Sequence, residues 1–217
     1  MLAVIAAMQK EADAVLCKCS VQKSYNVCGK KVYLANNGER EFYLIACGVG
    51  KVNAAMGAQL AIDRLGADLL LNVGVAGGIS EQTAIGKIFA IERAVQYDFD
   101  LSEVNHTKIG TLDEYETPYL SCRCNSAFPK ATLATGDRFN NSDADLDLLT
   151  AQLGADIRDM EGGAIAQVAL SAKIPLYMYK SISDVVGGNC VTQYKNNLAR
   201  ALGALSAAMP QIFSEVM

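Results

Sequence analysis

Three carboxylates stand shortly after strand-like runs in this sequence: Glu11 beyond the apolar Leu2–Ala7, Glu161 beyond Asp156–Met160, and Asp184 beyond the largely apolar Ile174–Ile182. A single acid at such a place is commonly a helix cap or a surface group. Three of them converging on one edge suit a site that does acid and base work near neutral pH with differently placed carboxylates. Glycine clusters lie at comparable positions. Gly48-Val49-Gly50-Lys51 opens a helical stretch and offers backbone N–H groups to an anion, yet it is no Walker sequence and lacks the third glycine of a dinucleotide fingerprint. Close strand–helix packing is the simpler reading of it. Gly74-Val75-Ala76-Gly77-Gly78 reads as a small-residue turn that permits close approach of backbone or ligand.

Other chemistries fail on inventory. His106 is the only histidine, which excludes a histidine-based metal cluster and places the one residue a Ser–His–Asp triad needs in a polar segment. Cys17-Lys18-Cys19 and Cys122-Arg123-Cys124 are spaced too tightly for a C-x2-C zinc knuckle. Neither a metal nor an organic cofactor is expected.

The elements that must hold the acids alternate along the chain. Leu2–Ala7, Asp68–Gly74, Lys87–Val95, Ala131–Thr135 and Ile174–Ile182 read as strands, most of them buried, and Asp156–Met160 as a short strand candidate. Helical stretches are predicted over Gln9–Cys17, Lys51–Leu65, Asp145–Leu153, Gly162–Ala172 and Gln193–Phe213. Lys31–Asn36 and Glu41–Cys47 flank Asn37-Gly38, a two-residue hairpin signal. Tyr97–Pro129 is polar and aperiodic, as a functional or mobile segment would be. Such alternation predicts an α/β fold, a three-layer sandwich with a mixed central β-sheet flanked by helices, in one domain spanning 1–217. Ligands of open α/β sheets bind at the carboxyl ends of parallel strands, which is where the acids fall.

Composition narrows the class. With 217 residues, 51% hydrophobic, 19% charged and a net charge of −4, the chain suits one sizeable core and not a nucleic-acid surface. No apolar run approaches the roughly 18 residues a membrane span needs. Seven cysteines, an odd count, and a start without a basic n-region lead us to expect reduced thiols in the cytoplasm.

Six fragments in order resemble one family. They are Ala7-Met8-Gln9-Lys10-Glu11, Gly48-Val49-Gly50-Lys51-Val52-Asn53-Ala54-Ala55, Asn72-Val73-Gly74-Val75-Ala76-Gly77-Gly78, Thr135-Gly136-Asp137-Arg138-Phe139, Asp159-Met160-Glu161 and Ser181-Ile182-Ser183-Asp184. The sequence resembles the 5′-methylthioadenosine/S-adenosylhomocysteine nucleosidases of the purine nucleoside phosphorylase superfamily, nearly end to end. The resemblance implies hydrolysis of the N-glycosidic bond of 5′-methylthioadenosine, S-adenosylhomocysteine or 5′-deoxyadenosine, releasing adenine and a 5′-substituted ribose. It implies that Glu11 activates water at C1′, that Glu161 binds the ribose diol above Met160, and that Asp184, oriented by Ser183, protonates adenine N7. Phe139 would stack on the purine and the Asn140 backbone would read its edge. Val49 and Tyr194, with Leu101 from a neighbouring subunit of a homodimer, would line the 5′ pocket. Val75 stands where some members carry serine, which removes one polar contact.

Three alternatives remain open. A phosphate-dependent phosphorylase would want arginines in its N-terminal loop and after the central strand; here those places hold Met8-Gln9-Lys10-Glu11 and an arginine-free Asn72–Gly78. A carboxylate at position 11 repels phosphate and suits water. A related nucleoside hydrolase such as futalosine hydrolase, and a non-catalytic nucleoside-binding protein on the same fold, complete the set. For the homodimer, the sequence offers small residues Ala54, Ala55, Gly57, Ala58 and Ala61, which would let two helices approach closely.

Overall fold

The apolar run at the start of the chain becomes a strand buried on both faces. In the computed structural model, which describes residues 1–139, 143–186 and 189–216, β1 (Leu2–Ala6) is followed by α1 (Gln9–Leu16), β2 (Ser20–Val27), β3 (Lys30–Asn36), β4 (Glu41–Ala46) and α2 (Lys51–Leu65). Then come β5 (Leu69–Gly78), β6 (Ile88–Gln96), α3 (Ser102–Asn105), β7 (Leu120–Ser121), β8 (Lys130–Thr135) and α4 (Asp143–Asp147), which runs on as a π-helical turn over Leu148–Gln152. The chain ends with β9 (Ile157–Asp159), α5 (Gly162–Ser171), β10 (Leu176–Val185) and α6 (Cys190–Val216).

One mixed sheet runs in the order β10-β6-β8-β9-β5-β1-β4-β3-β2, with β7 on β6. β10 pairs with β5 as well as with β6, so β5, β10, β6, β8 and β9 close on themselves. Helices cover both faces. Alternate residues of β1 divide between two cores, as period-2 strands must. Ala3 and Ile5 join Ala54, Ala58, Ala61 and Ile165 under α2 and α5. Leu2, Val4 and Ala6 join Val15, Leu205, Met209 and Phe213 under α1 and α6. This is the α/β sandwich with a mixed sheet that the alternation predicts. Among the described residues, no helix is long and apolar enough to cross a membrane.

Several local expectations need correction. The Asn37-Gly38 hairpin forms between β3 and β4, but Asn36 pairs with Glu41, so the loop has four residues rather than two. The Asn37 side-chain oxygen accepts from Glu39 N (3.0 Å) and Arg40 N (2.9 Å), and Gly38 takes φ +100°, which closes the wider turn. The glycines at 74–78 do not turn: β5 continues through them to Gly78. The polar 97–129 segment holds the short α3 and β7. The small residues of α2 do not face outward. Ala54, Gly57, Ala58 and Ala61 are buried within the subunit, Ala55 is half-buried against the same core, and a Cβ on Gly57 would meet Cys47 Cβ at 2.6 Å. The face α2 leaves open is instead apolar and larger, with Val52 72% and Met56 45% exposed beside the exposed Val49.

Candidate active site

Loops and strand ends at the carboxyl edge of β1, β5 and β10 enclose a cavity of about 210 Å³. Its lining includes Met8, Glu11, Val49, Val75, Phe139, Met160, Glu161, Ser183, Asp184 and Tyr194, residues drawn from distant parts of the chain. Two expected residues are not among them. Leu101 caps the start of α3 and does not line the cavity of its own chain. Asn140 lies outside the described residues.

At one end sits Glu11, buried in the first turn of α1. Its Oε2 accepts from the backbone N–H of Ala7 (3.0 Å) and Met8 (2.9 Å), and its Oε1 from that of Val75 (2.8 Å). Three donors therefore fix both oxygens. Gly74 makes room for them, since a Cβ there would lie 2.6 Å from Glu11 Oε1. Burial pushes the Glu11 carboxyl above its ordinary range, against the opposing pull of Lys180 and those three backbone donors.

Glu161 occupies the cap position before α5, but its side chain does not cap that helix. Its Oε1 accepts instead from Gly50 N (2.8 Å), at the start of α2. The N-terminus of α5 is served by Asp159, whose Oδ2 accepts from Gly162 N (2.9 Å), and by Thr135 Oγ1, which accepts from Gly163 N (2.8 Å). Glu161 is thereby left facing the cavity. Burial, reinforced by the neighbouring Asp159 charge, raises its pKa to about 7, with Lys180 and the Gly50 donor working the other way. The helix-opening N–H groups of the Gly48–Lys51 segment are occupied by the protein's own carboxylates: Gly50 by Glu161 and Lys51 by Asp137 Oδ1 (2.9 Å).

The counter-charge for this end is Lys180, a residue that sequence reasoning passed over. It is only 2% exposed, and its Nζ pairs with Asp159 Oδ2 at 2.8 Å. Thr135 Oγ1 donates to the other Asp159 oxygen at 2.6 Å. Burial alone would push the ammonium down, but Asp159, Glu161 and Glu11 together hold it above its usual value. The signal was a charged residue inside the largely apolar run Ile174–Ile182, since buried charges need partners.

At the opposite end, β10 carries a register shift against β5 between Ile182 and Asp184, with Ser183 as the extra residue. Such a bulge re-aims side chains. The Ser183 hydroxyl donates to Asp184 Oδ1 at 2.8 Å, and Arg158 Nη2 lies 3.4 Å from Asp184 Oδ2. Phe139 and Tyr194 close the mouth edge to face, with ring centroids 5.2 Å apart, and the Tyr194 hydroxyl reaches Met8 Sδ at 3.3 Å. The cavity thus offers a fixed carboxylate cluster at one end, a hydrogen-bonded acid at the other and an aromatic wall between. No group of three metal-ligating side chains forms among the described residues.

A profile of the phosphorylase superfamily matches residues 1–213. The chain belongs to the phosphorylase superfamily. Among curated members of related sequence, a 5′-methylthioadenosine/S-adenosylhomocysteine nucleosidase of Listeria monocytogenes is 29% identical over 202 residues, covering 85% of this chain and 86% of its own. The nucleosidase of the same name from Buchnera aphidicola is 27% identical over 212 residues, 91% of this chain and 90% of its own. A crystal structure of the Helicobacter pylori 5′-methylthioadenosine/S-adenosylhomocysteine nucleosidase superposes with a TM-score of 0.91, at 21% identity over 99% of this chain and 97% of that one. That last likeness establishes the superfamily fold around the cavity.

Proposed function

We propose that this superfamily member is an N-glycosyl hydrolase that cleaves 5′-substituted adenosines such as 5′-methylthioadenosine and S-adenosylhomocysteine, releasing adenine and a 5′-substituted ribose. The observation that carries the reading is Glu11: a buried carboxylate, fixed by three backbone donors, in a cavity whose far end holds a second acid, Asp184.

Breaking the C1′–N9 bond leaves positive charge on the ribose and sends the bonding electron pair to the purine. Glu11 and Glu161 lie where the first charge develops. Glu11 takes a proton from water as its oxygen bonds C1′. Glu161 accepts from the ribose diol over Met160. Asp184, oriented by Ser183, donates its proton to N7 as the base departs, and Phe139 stacks on the ring. The nearby Arg158 guanidinium then faces the carboxylate that proton loss creates. Lys180 is a positioning residue: it keeps three crowded carboxylates compatible with burial.

Water is favoured over phosphate as the nucleophile because the backbone donors at this end already serve protein carboxylates. An anion would meet Glu11 and Glu161 instead. The test is adenine release from 5′-methylthioadenosine in phosphate-free buffer. Release there supports hydrolysis, whereas a strict requirement for added phosphate would make the chain a phosphorylase.

The same reading makes the enzyme a single-domain cytoplasmic homodimer, with the partner's Leu101 completing the 5′ pocket. Its support is the exposed apolar face of α2, Val52 and Met56, next to pocket residue Val49. Sedimentation showing a fully active monomer would overturn the dimer.

A further inference from the structure

Arg158 has no part in the water-activating end of the cavity, yet it is a buried arginine, 6% exposed, in the cavity wall. Its place follows from strand register. Gly77 of β5 pairs with Arg158 of β9 on one side and with Asp184 of β10 on the other. Cross-strand partners project from the same face of a sheet, so guanidinium and carboxylate meet above a residue without a side chain. A Cβ on Gly77 would lie 2.8 Å from Arg158 Nε and 2.9 Å from Asp184 Oδ2. Arg158 Nη2 reaches Asp184 Oδ2 at 3.4 Å and Cys190 Sγ at 3.3 Å.

If Asp184 serves purine N7, its neighbour meets the adjoining edge of the base, because N7 and the substituent on C6 lie side by side. A guanidinium has donors only. The 6-amino group of adenine turns N–H donors to that edge and gives the arginine nothing to bond. The 6-oxygen of a hypoxanthine-type base is an acceptor. It also collects negative charge as the base leaves, so a cation there strengthens in the transition state.

We propose that Arg158 is a base-specificity residue that reads a 6-oxo group, and that 6-oxopurine nucleosides are substrates of this site alongside 6-aminopurine ones. This rests on the nucleosidase reading above and adds the class of leaving group.

The experiment compares two nucleosides that differ only in the base, 5′-methylthioinosine and 5′-methylthioadenosine, in the wild type and in Arg158→Leu. The wild type should hydrolyse 5′-methylthioinosine with kcat/KM no more than tenfold below that of 5′-methylthioadenosine. In Arg158→Leu, the inosine-to-adenosine ratio should fall about tenfold or more, because a site built to hydrogen-bond a group discriminates strongly when one partner is removed. A wild-type ratio lower than one to ten, or a ratio the substitution leaves unchanged, overturns the proposal. Cleavage of neither nucleoside overturns the nucleosidase reading itself, and this inference with it. Should Arg158→Leu not fold, product inhibition of the wild type decides: hypoxanthine should bind at least as tightly as adenine, and adenine binding more than tenfold tighter would sink the assignment.

Discussion

The two ends of the cavity are balanced differently. At the ribose end three buried carboxylates, Glu11, Asp159 and Glu161, share one ammonium, Lys180. At the base end one carboxylate, Asp184, has a guanidinium of its own, Arg158. The first arrangement crowds acids in a dry place: burial pushes the Glu11 and Glu161 carboxyls above their ordinary range, and the Asp159 charge adds to the rise at Glu161. The second is close to neutral. A reaction that makes a cation at C1′ and pushes electrons into a purine needs this asymmetry, with anions behind the sugar and a proton donor plus a cation behind the base.

The largest expected effects come from removing one acid at each end. Glu11→Gln should lower kcat by about 10² to 10⁴, the range general base catalysis supplies. Glutamine has one acceptor oxygen where Glu11 uses two, so one of the Ala7, Met8 and Val75 donor sets also loses its partner. Asp184→Asn should lose a similar factor on adenine nucleosides. The two variants part on a nitrophenyl riboside, whose leaving group departs without a proton: Asp184→Asn should recover much of its rate there and Glu11→Gln should not. Equal losses on both substrates would mean that the ends are not divided between base and acid.

The shared lysine gives the next effect. Lys180→Met strips Asp159 of its ammonium partner in a buried place, and breaking a buried pair costs about 3–5 kcal/mol of stability. Lys180→Arg keeps the charge and should recover most of the loss, as measured by denaturant unfolding. In whatever fraction of Lys180→Met folds, the cation that draws Glu11 and Glu161 downward is gone, so the acid limb of kcat/KM should move to higher pH. A limb that stays in place would show that Lys180 holds Asp159 alone.

Which parts of this were legible in the sequence follows from what apolar pattern can encode. β1 is a continuous apolar run because both faces are buried, β10 begins as one, and the acid that follows each apolar stretch marks the carboxyl edge. β2 escaped notice for the opposite reason. It is the outermost strand, exposed along nearly its whole length, and Ser20-Val21-Gln22-Lys23-Ser24-Tyr25-Asn26-Val27 carries no buried face to read. Glu11, Glu161 and Asp184 could be nominated one by one, but Asp159 and the counter-ions could not. Lys180 and Arg158 lie in separate strands from most of the acids they meet, and only strand register brings Arg158 beside Asp184. The bulge at Ser183 and the closure of β10 onto both β5 and β6 are likewise properties of pairing, which no local pattern records.

The smallest effect tests the ribose end through stability rather than rate. In the unfolded chain the Glu161 carboxyl titrates near its ordinary 4.5, whereas in the folded protein it holds its proton up to about 7. Between those values the native state binds more protons than the unfolded state, so the Glu161 contribution to stability declines as pH rises through the window. Below it the residue exacts no penalty; above it the full cost of a buried, crowded charge is present. Glu161→Gln does not titrate and can still accept from Gly50 N through its amide oxygen. In ligand-free protein the Tm of Glu161→Gln minus that of the wild type should therefore be least near pH 4.5 and widen to a plateau above pH 7, even as the variant loses activity on ribosides. Its loss should be smaller on a 2′-deoxy substrate, which has one hydroxyl fewer for the carboxylate to hold. A Tm difference that stays flat from pH 5 to pH 8 would show that Glu161 is not held protonated by burial and the Asp159 charge, and the upward push on the acids of the ribose end would have to fall on Glu11 alone.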